Sequence, residues 1–96
     1  MKYVLGIDFG GGASKATLLS QKGEIAATST VEYKTYYPKN GWVEQEPMDW
    51  YNATKENIKA VLKKSNVSAK DIAAISLDAA THTAVITDDN FNVLRP

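Results

Sequence analysis

The sequence predicts an α/β fold, a mixed sheet that opens with three antiparallel strands and carries at least one packed helix. Three observations predict it. Apolar, β-prone segments at residues 2–9, 14–20 and 24–33 are separated only by Gly10-Gly11-Gly12 and Gln21-Lys22-Gly23, and such short connections favour antiparallel neighbours. From Pro47 onward the apolar spacing changes from a period of two to that of a helix. An apolar segment at residues 72–77 follows, so the chain crosses from the third strand through a helix to a fourth, covering at least one face of the sheet.

Each element has its own signal. Residues 2–9 end in Asp8-Phe9 and then three glycines. Alternation over residues 24–33 sets Ile25, Ala27, Ser29 and Val31 on one face. The irregular stretch that follows holds Tyr36, Tyr37, Pro38, Gly41 and Trp42; its aromatics are expected to pin the loop and serve the core, because a small fold needs their area. Pro47 suits the first helical position, where its missing N–H is not needed. Trp50, Thr54, Ile58, Val61 and Leu62 form one apolar stripe, with Lys55, Glu56, Lys59, Lys63 and Lys64 largely off it. Ser68-Ala69-Lys70-Asp71 is similar to a capping box with an acidic residue in the last place. Asp78 closes the fourth strand, and residues 83–87 and 91–94 can pair across Asp88-Asp89-Asn90.

Size and charge narrow the function classes. Ninety-six residues make one small domain at most, burying roughly 60–65% of the unfolded surface. Eleven basic and eleven acidic residues cancel, leaving no footprint for nucleic acid or an anionic membrane. No cysteine is present, so disulfides and thiolate metal sites are out. No run approaches the roughly 18 apolar residues that span a bilayer, and a cytoplasmic protein is the expectation. The closing Val93-Leu94-Arg95-Pro96 reads as a connection cut short, as in a piece of a longer chain.

The informative stretch is Asp8-Phe9-Gly10-Gly11-Gly12-Ala13-Ser14-Lys15. Glycines permit positive φ and let N–H groups approach a polyphosphate with no Cβ in the way. Ser14 can add a hydroxyl and Lys15 a point charge to phosphate oxygens, and Asp8 is placed to hold Mg²⁺ through water. A glycine-rich turn with Asp8 as its local acceptor accounts for the same residues. The spacing is not that of a Walker loop or a dinucleotide fingerprint, both of which run into a helix rather than a strand.

Asp8-x-Gly10-x-x-x-Ser14-Lys15 between two strands resembles the first phosphate loop of the actin, hexokinase and heat-shock chaperone superfamily. Gly41-Trp42-Val43-Glu44-Gln45-Glu46-Pro47 followed by Trp50 resembles a segment of the FGGY carbohydrate kinases, and Val93-Leu94-Arg95-Pro96 is similar to a later stretch of that family. The resemblance runs along the whole chain. It implies a ribonuclease-H-like fold, with residues 1–96 as the amino-terminal part of the first domain of a two-domain sugar kinase that uses ATP and Mg²⁺. It further implies that Asp8 assists the metal and that Gly10, Gly11, Gly12, Ser14 and Lys15 lie near the transferred phosphate. Family members often carry threonine where Gly11 stands, so one hydroxyl contact is missing here.

The resemblance places Thr81 and His82 on the sugar. Xylulose-kinase-like members carry a Met-His pair there and glycerol kinases an Arg-Glu pair; the histidine agrees with the pentulose pattern and the threonine does not. His82 would exchange a hydrogen bond with a hydroxyl rather than act as base. A strand-end histidine among threonines also fits a plain structural role; Asp78 either caps or orients the loop, the favoured reading, or lines the cleft, and Glu44 reads as structural. The family's catalytic base and adenosine site fall beyond residue 96, so the chain alone is expected to be inactive. Its partner is a small sugar or polyol, a pentulose such as xylulose favoured, and exposed apolar surface could pair two copies. Two other readings use the same residues. A ribonuclease-H-like nuclease would gather Asp8, Asp49 or Glu56, and Asp78 on two metals, although it has no use for Lys15 and the glycines. An actin-like binding module would self-associate with nucleotide.

Overall fold

The computed structural model describes residues 1–79 and 84–96. Among these residues six strands and one long helix run in the order β1 (Tyr3–Phe9), β2 (Ala13–Ser20), β3 (Ile25–Glu32), α1 (Pro47–Ser65), β4 (Ile72–Ala79), β5 (Ile86–Thr87) and β6 (Val93–Arg95), with a 3₁₀ turn at Ala69–Asp71. The main sheet has the order β3-β2-β1-β4. β1 pairs antiparallel with β2 and parallel with β4, and β2 pairs antiparallel with β3. The expected three-stranded opening and helical crossover are both present. β4 is longer than residues 72–77, so that Asp78 lies within the strand.

Period-two alternation decides the two faces. Leu5 and Ile7 of β1 and Ala16 and Leu18 of β2 point to one side, where Val61 of α1 closes a buried core; Tyr3, Phe9, Ala27, Ile58, Val67 and Ile72 pack around it. Asp8, Lys15 and Leu19 point to the other side and are exposed. Ile75 and Leu77 of β4 neighbour Leu5 and Ile7 in register yet stay more than half exposed, because α1 lies over β2 and β3.

Two expectations about faces need correction. The fully buried line of α1 is Ala53, Asn57 and Val61, so the stripe is rotated from the one that hydrophobicity alone picks out. The reason is polar: Asn57 is wholly buried and donates its Nδ2 to the Ser14 carbonyl at 2.9 Å. On β3, a register shift pairs Leu18 with Ala27 but Leu19 with Ile25. That bulge turns Ile25 out to 65% exposure, away from Ala27, Ser29 and Val31.

The turns are built locally. α1 begins at Pro47 as expected and ends where Asn66 takes φ 61° and donates its N–H to the Leu62 carbonyl, an αL cap. Ser68 makes no side-chain cap; the Ser68 carbonyl accepts the Asp71 N–H instead. Asp88 does close the last hairpin, its Oδ1 accepting the Asn90 and Asn92 N–H groups at 2.9 Å each. The aromatics of the long loop are not core: Tyr36, Tyr37 and Trp42 are all exposed. Trp42 serves instead as a platform for Lys39 and Arg95, each within 5 Å of its ring centroid, and Arg95 also meets Glu44 at 3.3 Å. Among the described residues no helix is long and apolar enough to cross a membrane.

Candidate functional site

Antiparallel register brings the candidate residues together. Asp8 lies opposite Lys15 on β2, and in the parallel direction it lies opposite Asp78 on β4. The three make one row across the open face of the sheet, around a depression of about 280 Å³ lined also by Gly6, Thr17 and Ser76. The hydrogen bond that a protonated Asp78 can give to Asp8, then desolvation and the Asp8 charge, raise the Asp78 carboxyl above its ordinary value. When both carboxyls are ionised the pair is a site of excess negative potential, which a cation would relieve.

The glycine hairpin caps this row. None of Gly10, Gly11 and Gly12 takes a positive φ, which falls to Gly23 and Gly41. Gly10 is needed for close approach: a Cβ there would stand 3.0 Å from the Ala13 carbonyl, to which Gly10 donates its own N–H at 2.9 Å. A Cβ on Gly11 or Gly12 would meet open space, so a larger side chain would fit at either position.

Every carbonyl of the hairpin is tied down from behind. Tyr33 donates its hydroxyl to the Gly10 carbonyl and, at 3.1 Å, to that of Ala13, while its N–H goes to Gly12. Gln45 donates Nε2 to the Gly11 carbonyl at 2.6 Å. A trans peptide points its C=O and the next N–H in opposite directions, so the N–H groups of Gly11 and Gly12 face away from Tyr33 and Gln45. Neither finds a partner among the described residues, leaving two adjacent donors of the kind that cradle an anion. Burial, and then the nearby Asp8 charge, pushes the Tyr33 phenol above its usual value, keeping it a donor at neutral pH.

Behind the hairpin lies a cavity of about 410 Å³ lined by Phe9, Gly10, Gly11, Tyr33, Gln45, Trp50 and Ala79. Its walls are aromatic, with the Gln45 amide as a polar group.

Asp8, Gly10, Gly11, Gly12 and Lys15 therefore share one end of the sheet. Ser14 does not join them: it alternates to the α1 side, is 0% exposed, and its hydroxyl has no hydrogen-bond partner. Thr81 and His82 lie outside the described residues. Sequence reasoning gave no role to Tyr33, Gln45 and Asn57 and read Trp50 as part of the helix stripe and of the segment that carries the resemblance. Their contacts cross from distant parts of the chain, and no local spacing announces them; the segment carrying Gln45 stood out only through its resemblance.

Comparison with known proteins gives the site a setting. The FGGY family of carbohydrate kinases, N-terminal domain, matches residues 3–96. A xylulose kinase of Bacillus subtilis is 41% identical over 95 residues, covering 99% of this chain and 19% of the relative. A glycerol kinase of Paenarthrobacter aurescens is 37% identical over 89 residues, covering 93% and 18%. The crystal structure of a ligand-bound xylulose kinase from Lactobacillus acidophilus superposes with a TM-score of 0.87 at 28% identity, over 98% of this chain and 19% of that one. The chain thus spans about one fifth of the length of these relatives. Its mixed sheet and crossing helix have the ribonuclease-H-like architecture of such neighbours, and the chain belongs to the FGGY family of carbohydrate kinases, as a part of the N-terminal domain.

Proposed function

We propose that this chain supplies the phosphate loop of an ATP-dependent kinase acting on a sugar or polyol, with a pentulose such as xylulose as the favoured substrate. The observation that carries the reading is the pair of outward N–H groups on Gly11 and Gly12, set beside Lys15 and the Asp8–Asp78 pair in a chain of this family. Phosphoryl transfer requires placement of the terminal phosphate and neutralisation of its charge. The Gly11 and Gly12 amides would hold its oxygens, Gly10 would allow the close turn, and Lys15 would add positive charge. Ser14 would contribute through its backbone alone, since its hydroxyl is buried under α1.

The donor set suits a hard divalent cation. Asp8 would hold Mg²⁺ through water, with Asp78, its register partner on β4, as a second carboxylate. Bound there, Mg²⁺ would neutralise charge on the nucleotide phosphates. Thr81 and His82 would meet the sugar hydroxyls. Residues 1–96 would form the amino-terminal part of the first of two domains, with the base and the adenosine site beyond them. An ATP-consuming reaction of this kind belongs in the cytoplasm, and any pairing of two copies would cover Ile75 and Leu77.

The test is ADP release from the kinase that carries this chain, offered xylulose, glycerol and related polyols. Turnover with xylulose above glycerol supports the reading, and turnover with neither overturns it; residues 1–96 alone should release no ADP. The nuclease reading has less support, because Asp8 and Asp78 meet but no group of three metal-binding side chains gathers among the described residues.

A further inference from the structure

We infer that Gln45 is a positioning residue, which selects the orientation of the peptide plane between Gly11 and Gly12 and so aims the Gly12 N–H at phosphate. The inference rests on the phosphate reading of the hairpin given above. A peptide plane between two glycines has no Cβ to resist a flip, and neither residue is held by a special φ. Something else must choose which side presents the N–H.

The Gln45 amide makes that choice, and its own direction is fixed. Trp50 Nε1, a group that can only donate, gives its hydrogen to Gln45 Oε1 at 3.0 Å. The oxygen end therefore faces the indole and the nitrogen end faces the hairpin. Nε2 then donates to the Gly11 carbonyl at 2.6 Å and to Thr35 Oγ1 at 3.1 Å. With Gly11 C=O drawn toward Gln45, the Gly12 N–H points the opposite way. A flipped plane would set the Gly12 N–H against Nε2, donor against donor. Trp50 is in turn seated on the first turns of α1, half-buried at 6.5 Å from the Tyr33 ring, so the relay connects the helix to the hairpin through one side-chain amide.

The experiment uses the 96-residue chain, ¹⁵N-labelled, as wild type, Gln45→Ala, Gln45→Glu and Trp50→Phe. The readouts are the Gly11 and Gly12 amide signals, their relaxation, and their response to inorganic triphosphate with Mg²⁺. Gln45→Glu replaces the donor by an acceptor and should turn the Gly12 N–H inward, moving its signal and weakening triphosphate binding by about tenfold, the worth of one charge-assisted hydrogen bond. Gln45→Ala should broaden both glycine signals as the plane samples two states, and Trp50→Phe should do so less. Cross-peaks of the β1–β4 ladder report that each variant is folded. Glycine amides unchanged in both Gln45 variants would overturn the inference, whatever triphosphate does. A wild-type chain blind to triphosphate, with the Gly12 signal still moved in Gln45→Glu, would support the Gln45 relay and count against the phosphate reading.

Discussion

Asp8 and Asp78 stand opposite each other in the parallel β1–β4 ladder, two carboxyl groups on the same open face of the sheet. Like charges directly opposite destabilise a strand pair. Asp78→Asn should therefore raise the thermal midpoint at neutral pH and low salt, with the gain shrinking as salt screens the pair. Mg²⁺ should stabilise the wild-type chain more than this variant. Thermal melts at two salt concentrations, with and without Mg²⁺, check both; a lowered midpoint in Asp78→Asn would contradict the repulsion.

Gly10 and Gly11 should respond oppositely to a methyl group. At Gly10 the new Cβ would press on the Ala13 carbonyl at 3.0 Å, and Gly10→Ala should cost roughly 1–3 kcal/mol. At Gly11 the space is open, and Gly11→Ala should stabilise by about 0.4–1 kcal/mol through the unfolded chain. Urea unfolding of the two variants side by side measures the difference.

Buried contacts between α1 and β2 should dominate stability. Leu18 is wholly buried in the core, and Leu18→Ala should cost about 3 kcal/mol by transfer and cavity together. Asn57→Ala removes the Nδ2 bond to the Ser14 carbonyl and should cost about 0.5–1.5 kcal/mol. Ser14→Ala removes a buried hydroxyl that has no partner and should be neutral or stabilising. Equilibrium unfolding of all three tests the ranking.

Acid and base should loosen different parts of the molecule. Backbone and side-chain hydrogen bonds from Asn92, then that of the Asn90 N–H, hold the Asp88 carboxyl below its ordinary value. Its support for the β5–β6 hairpin is complete above the unfolded-state pKa and lost as pH falls through the lower folded value. Tyr33 behaves in the opposite sense. Its phenol is raised by burial and by Asp8, so its contribution is complete below the ordinary phenol value and lost as pH rises through the raised one. Amide signals of Asn90 and Asn92 in acid, and of Gly10 in base, follow the two events; Asp88→Ala should abolish the first.

Much of the fold was legible because its signals are local. Pro47 marked the start of α1, and Gly10-Gly11-Gly12 and Gln21-Lys22-Gly23 marked the first two turns. Asp8 and Lys15 were singled out by their places at either side of the glycines, and the register of β1 with β2 sets them opposite each other. What escaped was set by partners far along the chain. Asn57 is polar, so a hydrophobicity stripe passes over it, yet its hydrogen bond to the Ser14 carbonyl puts it deepest in the helix interface. Ser14 suggested a phosphate hydroxyl by its neighbours in sequence, and the alternation of β2 turned it to the opposite face from Lys15. Gln45 has no periodicity to betray it; only three-dimensional closure brings it to Gly11.

The two tryptophans give the molecule a pair of optical reporters with different assignments. Trp42, 40% exposed and flanked by Lys39 and Arg95, should emit to the red and register release of the carboxyl-terminal residues from the long loop. Trp50, half-buried with its indole N–H engaged, should emit to the blue and register disturbance behind the glycine hairpin. Fluorescence of single-tryptophan variants would therefore separate movement around Arg95 from movement at the glycine hairpin.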